Sequence, residues 1–413
     1  MSVRCLGFFP RHLILVSRFV HFHVHPRATC ISGLLACIPP VGEILLGLPV
    51  YIQYMYEEEQ VRNMKMWGRG FLKLLETVAK SRCRNLKLLD PRGYLHTDLY
   101  VMTPPVKPTV TKSWRTRSLG VLHAQMSMIE ILSLSLSQPL FIGWIIDTLE
   151  MNREYLVCIH LNITSITHVL LSRISESMNL PVVQEVKISS HFNLVWEGLC
   201  SFLNRHLSIT SLCLDGILPV KDPQIPDPQI ILPYLTQLTA MSPIVTLLLQ
   251  HRNRVPLLSS IHVLLNLNAQ SELDPLPAIA THTHISSLQL SNGVEGDICS
   301  ILKRHICEDK HTQIITPLGH IRSIVLHQPF NYCNLSPLTT KRWLYLFPHL
   351  EHVSLSFCLL DARLRLSAEE KRDVVTEFAT QLAADRPMMK TLSAELLLPI
   401  NLDDLWRMPG FKA

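Results

Sequence analysis

Residues 350–360 read LEHVSLSFCLL, and the fold follows from how that string is parsed. Apolar side chains stand at Leu350, Val353 and Leu355, with Cys358 and Leu360 behind them. A strand sends alternate side chains to opposite faces, so Val353 and Leu355 turn inward together while the residues before and after them close the flanking turns. A unit of this kind buries a wedge that only another copy of itself can cover. One copy arises by chance in a leucine-rich chain, so recurrence decides the matter.

The frame does recur. An alternating version, with Val20, Phe22 and Val24 set against His21, His23 and His25, is followed by the triplets Val41/Ile44/Leu46 and Cys83/Leu86/Leu88. Further triplets are Thr116/Leu119/Val121, Leu156/Ile159/Leu161, Val183/Val186/Ile188, Ile209/Leu212/Leu214, Leu235/Leu238/Ala240 and Leu258/Ile261/Val263. Ile285/Leu288/Leu290, Ile321/Ile324/Leu326, Leu350/Val353/Leu355 and Met389/Leu392/Ala394 complete the series. From Thr116 onward their starts lie 23 to 40 residues apart, close to the period of a leucine-rich repeat with insertions. Apolar stripes at helical spacing precede several strand phrases: Phe71/Leu74/Leu75/Val78, Phe141/Trp144/Ile145/Leu149, Leu199/Cys200/Leu203 and Ile298/Ile301/Leu302/Ile306. Helix then strand, repeated, predicts an α/β fold: an irregular leucine-rich-repeat solenoid with parallel strands on its concave face and helices on its convex face.

The domain plan that follows has a flanking segment at 1–16, the repeat array at 17–398 and a tail at 399–413. Prolines at 104, 105 and 108 mark an insertion near 90–117, and Pro223, Pro226 and Pro228 a loop at 219–233, since each removes a ladder donor. Residues 367–370, Ser-Ala-Glu-Glu, form a capping box opening a helix with Val374, Phe378 and Leu382 on one stripe.

Composition fits this plan. The chain has 413 residues, too many for one compact core, and is 47% apolar but only 7% aromatic, which suits repeated aliphatic layers. The 11 cysteines contain no C-x-x-C pair, and Cys158, Cys213 and Cys358 sit in apolar phrases, so they read as reduced core residues of a cytoplasmic or nuclear protein. The most apolar window, residues 31–56, is interrupted by Pro39, Pro40, Glu43 and Pro49 and reads as helix plus strand; no membrane association is expected.

Chemistry is sparse. Phosphate-binding glycine loops, dinucleotide fingerprints, nucleophile elbows and H-E-x-x-H are all missing from the sequence. His21, His23 and His25 share a strand face, but no cysteine or carboxylate follows at ligand spacing; Cys30/Cys37 and Cys299/Cys307 fit no common zinc site. No catalytic residue, cofactor, metal or small-molecule substrate is therefore expected. Residues 62–117 carry 13 Lys/Arg against 3 Asp/Glu, the one stretch suited to an acidic partner such as RNA.

The phrases FLNRHLSITSLCL (202–214), LPYLTQLTA (232–240) and PHLEHVSLSFC (348–358) resemble the divergent leucine-rich repeats of fungal F-box-like proteins, particularly those of mushroom-forming basidiomycetes. The resemblance implies a non-catalytic scaffold whose repeats hold the substrate of a ubiquitin ligase, with an N-terminal F-box docking the ligase's adaptor. Here the repeats begin near residue 17, so the expectation is a chain without the F-box, either truncated or related to proteins that kept only the repeats. The expected partner is a protein. Strand alternation assigns the concave, partner-binding face to Glu185, Lys187 and Ser189; Ser211, Cys213 and Asp215; Ser287, Gln289 and Ser291; Ser323, Val325 and His327; and His352, Ser354 and Ser356.

Overall fold

A computed structural model of the chain describes residues 12–15, 43–47, 84–89, 129–135, 142–162, 178–189, 193–220, 230–251, 254–265, 274–292, 298, 302, 318–327, 344–356, 380, 388–394 and 400–401. Contacts divide the chain into two compact units, Met1–Ile209 with Val220–Pro228, and Thr210–Pro219 with Gln229–Ala413. The first contains strands β1 (His12–Leu15), β2 (Glu43–Gly47), β3 (Asn85–Leu89), β4 (Ile131–Ser135), β5 (Cys158–Asn162), β6 (Glu185–Ser189) and β7 (Asn193–Val195), with helices α1 (Ile142–Met151) and α2 (Trp196–Arg205). Next in the chain come β8 (Ser211–Asp215), β9 (Leu218–Val220), β10 (Gln237–Met241), β11 (Ser260–Leu265), β12 (Ser287–Asn292), β13 (Ser323–His327), β14 (His352–Ser356), β15 (Thr391–Ala394) and β16 (Ile400–Asn401). Helices α3 (Ser242–Leu249) and α4 (Leu276–Ala280) belong to the second unit.

Within the first unit, β1 to β6 pair in parallel in chain order. Within the second, β8 and β10 to β15 do the same, and β16 adds antiparallel to β15. Parallel neighbours need a crossover between them, which is why successive parallel strands are joined by a connection rather than a hairpin. The class is α/β. Among the described residues the first unit's ladder includes β1, ahead of residue 17, and the second unit's includes β16, beyond residue 398. The triplet expected at Thr116, Leu119 and Val121 lies outside the described residues, as do the helix expected at 70–80, most of the one opened at 367, the loop at 90–117 and positions 221–229 of the loop expected at 219–233, whose first two residues instead end strand β9. A strand not anticipated, β4, pairs between β3 and β5 and carries the frame as Ile129, Leu132 and Leu134.

Register converts the frame into core. In the first unit Leu86, Leu132, Ile159 and Val186 stand in line across four strands, and Leu134, Leu161 and Ile188 form the next row. In the second, Leu212, Leu238, Ile261, Leu288, Ile324, Val353 and Leu392 form one row, all at 2% exposure or less. Each buried aliphatic side chain contributes roughly 1.5–3 kcal/mol against leaving it in water, and each is covered only because its neighbour in the row is there. Three residues before the strand frame a second apolar row appears, Leu180 in the first unit and Leu232, Val255, Leu318 and Phe347 in the second, with His206 and His282 at the same position. The N–H of the frame's first residue returns to the carbonyl of that residue: Val183 to Leu180, Ile209 to His206, Leu258 to Val255, Ile321 to Leu318.

The frame's second residue ties layer to layer. Its carbonyl accepts two N–H groups from the following copy: Glu130 from Val157 and Cys158, Thr236 from Ser259 and Ser260, Ser286 from Arg322 and Ser323, Arg322 from Glu351 and His352. Side chains at this position reinforce the tie. Thr236 donates its hydroxyl to the Thr210 carbonyl at 3.0 Å, Arg84 pairs with Glu130 at 3.0 Å, and Glu351 sits between Arg322 and Lys390. Hydrogen bonds from Lys390 and Arg322 hold the Glu351 carboxyl below the ordinary carboxylate range.

Helices close the layers. On α2, Trp196, Leu199, Cys200, Phe202 and Leu203 are buried at helical spacing, with Glu197 in the first turn and Arg205 in the last, where each complements the helix dipole. Helix α3, unexpected in so short a connection, follows β10 directly; Pro243 suits its first turn because the N–H it lacks would have no partner there. Behind α1, Asn152 is fully buried: its Oδ1 accepts the Ile129 N–H at 2.9 Å and its Nδ2 donates to the Thr148 carbonyl at 2.8 Å. His206 does the same for α2, with Nδ1 donating to the Phe202 carbonyl at 2.6 Å and Nε2 accepting the Leu180 N–H at 2.9 Å. Both nitrogens are thereby used by the neutral ring, and burial lowers its pKa.

Two stability outcomes follow. Leu288→Ala should cost about 2–5 kcal/mol by removing a side chain from the middle of a closed row, measured as a shifted denaturant midpoint. Asn152→Leu should cost about 1–3 kcal/mol because the Ile129 N–H stays buried without its acceptor. An unchanged midpoint in both variants would mean the layers are registered differently.

Candidate functional site

The side of each sheet opposite the leucine rows is polar, and its composition is set by the same alternation. In the second unit, register places Ser211, Gln237, Ser260, Ser287, Ser323, His352 and Thr391 in one row. The next row is Cys213, Thr239, His262, Gln289, Val325, Ser354 and Ser393. Ser211, Cys213, Ser287, Gln289, Ser323, Val325 and Ser354 are half-buried; Asp215, His327 and His352 are exposed. The backbone of Ser356 pairs with His327, and its side chain lies outside the described residues. Glu185 and Lys187, exposed, and Ser189, half-buried, belong to the first unit.

Ser291 departs from the sequence expectation of an open position: it is 7% exposed. His262 Nε2 lies 2.6 Å from its hydroxyl and Gln289 donates an amide hydrogen to it at 3.3 Å, so the three side chains form a lid over the end of β12. Burial, with His327 adding like charge, pulls the His262 pKa down to about 4, so the ring is neutral at pH 7. His262, Thr239, Ser260 and Ser393 were missed as members of this face, although the alternation rule applied to β10, β11 and β15 places them on it.

The cysteines also need correction. Cys158, 7% exposed, is buried as expected although its strand position is on the polar side, Cys200 on α2 is buried too, and Cys213 is only half-buried on the polar side of β8. Cys358 lies outside the described residues. In the first unit Cys158 pairs in register with Glu185, and His160 lies two residues along the same face. His160 Nε2 is 3.3 Å from Cys158 Sγ and 2.8 Å from Glu185 Oε1. Burial first, then the nearby Glu185 carboxylate and its hydrogen bond, push the Cys158 thiol up to about 12, with Lys87 opposing. A thiol held protonated at neutral pH is no nucleophile in this state.

Among the described residues these are the one group of three metal-ligating side chains whose donor atoms converge. His282, His284 and His320 gather near one another in the second unit, and burial lowers the His320 pKa. Residues 21–25 and all of 62–117 but 84–89 lie outside the described residues, as do the pairs Cys30/Cys37 and Cys299/Cys307. Among the described residues no helix is long and apolar enough to cross a membrane. Compared with known protein families and with curated proteins, the chain matches none.

The neutral His262 gives a pH outcome with a definite sign. Its folded pKa lies below the ordinary 6.5, so the unfolded chain binds the proton first and folding stability drops as pH falls from 6.5 to about 4. His262→Gln keeps a hydrogen-bonding group for Ser291 but no titration, and should flatten part of that fall in thermal midpoint. An identical pH profile in wild type and variant would remove His262 from the account.

Proposed function

We propose that the chain is a non-catalytic protein-interaction scaffold of the leucine-rich-repeat type, which binds a protein partner through the polar side of its parallel sheet. The observation that carries this reading is the pair of polar rows in the second unit: small hydroxyl side chains recur at Ser211, Ser260, Ser287 and Ser323 in one row and at Thr239, Ser354 and Ser393 in the next, backed by a dry aliphatic core. Small side chains on a rigid sheet let a partner's larger aromatic or arginine anchors approach the backbone, and the core behind them keeps the surface from collapsing when it binds. Half-buried hydroxyls also offer hydrogen bonds that cost little side-chain entropy to immobilise. Its resemblance to fungal F-box-like repeats extends the proposal to a partner that is the substrate of a ubiquitin ligase, in a cytoplasmic or nuclear setting.

Affinity capture of the full chain with mass spectrometry should return a defined protein partner, and adaptor or cullin subunits in the catch would support the ligase role. Replacing Ser211, Gln289 and Ser354 together by Arg should abolish that capture with the fold intact, because bulk and charge fall on the polar side alone. A triple variant that folds and captures the same partner with unchanged affinity would dismiss this face. Binding that collapses steeply between 50 and 200 mM salt would instead favour a nucleic acid.

A further inference from the structure

We infer that Cys158, His160 and Glu185 form a three-ligand site for one borderline-soft divalent cation, zinc by preference, on the polar side of the first unit's sheet. Two facts of strand geometry build it. Residues two apart on β5 share a face, which puts Cys158 beside His160, and the parallel register brings Glu185 of β6 opposite Cys158. The sulfur, the imidazole nitrogen and the carboxylate oxygen then lie within 4.8 Å of one another.

Those donor types are the ones zinc takes in proteins, and a tetrahedral ion with bonds of about 2.0–2.3 Å needs its donors roughly 3.3–3.7 Å apart. The Cys158 to His160 contact, 3.3 Å, already meets that spacing, and the His160 to Glu185 contact, 2.8 Å, needs only a small opening. Cys158 is anchored, 7% exposed and flanked in register by Ile131 on β4, whereas the His160 and Glu185 side chains, 33% and 48% exposed, have room to adjust. Without a cation the cluster is held by hydrogen-bonding protons between the same donor atoms. Zinc would take their place: the Cys158 S–H bond breaks, an S–Zn bond forms and that proton leaves to solvent, while the neutral His160 ring keeps its single proton by carrying it on Nδ1 so that Nε2 is free to bind the ion. Thiolate and carboxylate then balance the ion's two positive charges, so a half-buried site acquires no net charge, which limits the desolvation cost. Lys87, half-buried, and Lys187, exposed, lie on the same face and repel the ion, and solvent around Lys187 screens its share of that penalty. Three protein ligands leave the fourth position to water. This site does not depend on the protein-binding reading of the second unit.

The test uses the full chain and the metal alone. Zn2+ added to the reduced, metal-stripped protein should bind at one ion per chain, and Co2+ in its place should give a thiolate-to-cobalt charge-transfer absorption. Cys158→Ser should remove that absorption. His160→Ala and Glu185→Gln, at side chains exposed enough to spare the fold, should each weaken Zn2+ binding by about a hundredfold or more, beyond the roughly 10–100-fold cost of losing an outer-shell partner. Alkylation mapped by mass spectrometry gives a readout independent of those variants: Zn2+ should protect Cys158 and leave Cys213, which belongs to no three-ligand group among the described residues, unchanged. Cobalt absorption that survives Cys158→Ser, or Cys158 alkylation indifferent to Zn2+, would overturn the site.

Discussion

Among the described residues, layer after layer depends on a carbonyl that serves two donors. At the frame's second position the backbone oxygen takes N–H groups from two consecutive residues of the next copy, and this fixes where the next strand starts. Once that start is set, alternation sends the fourth and sixth positions inward in every copy, and the aliphatic rows follow. A slip of one residue would turn a whole strand's leucines to the polar side. Hydrogen bonding chooses the register; hydrophobic burial penalises every alternative.

Polar side chains inside such a structure occur where the backbone leaves a donor stranded. Asn152 and His206 occupy the interior because Ile129 and Leu180 each present an N–H that the next layer must accept. An unsatisfied buried donor costs more than a hydrogen bond gains, so an apolar residue of similar size would fit there and still destabilise the layer. His206 therefore serves as a structural bridge. His262 is a different case, since its depressed pKa comes with a lid over Ser291 on the polar side, where it narrows the face available to a partner.

The two units present different chemistry on their polar sides. The second carries repeated serine and threonine hydroxyls with a few histidines, a surface suited to shape and hydrogen bonding. The first gathers Lys87, Cys158, His160, Glu185 and Lys187, where charge and soft ligands meet. Both arise from one rule, alternation on a parallel sheet, with different residues set into its outward positions.

The spacing of apolar residues alone determined the strand phrases around Ile44, Leu86, Ile159, Val186, Leu212, Leu238, Ile261, Leu288, Ile324, Val353 and Leu392, because alternation is a property of a strand's own backbone and needs no partner to be read. The helices at Ile142–Met151 and Trp196–Arg205 were legible for the same reason. Strand β4 escaped notice inside a continuous run of Ile, Leu and Ser, and only its pairing with β3 and β5 distinguishes it. Proximity between strands was beyond local pattern. Cys158 meets Glu185 across 27 positions of chain and His262 closes over Ser291 across 29, so a site residue that looked open proved buried and Cys213, which looked like core, proved half-buried on the polar side. Period is encoded within one strand, whereas register is settled only when the next strand's donors find their carbonyl.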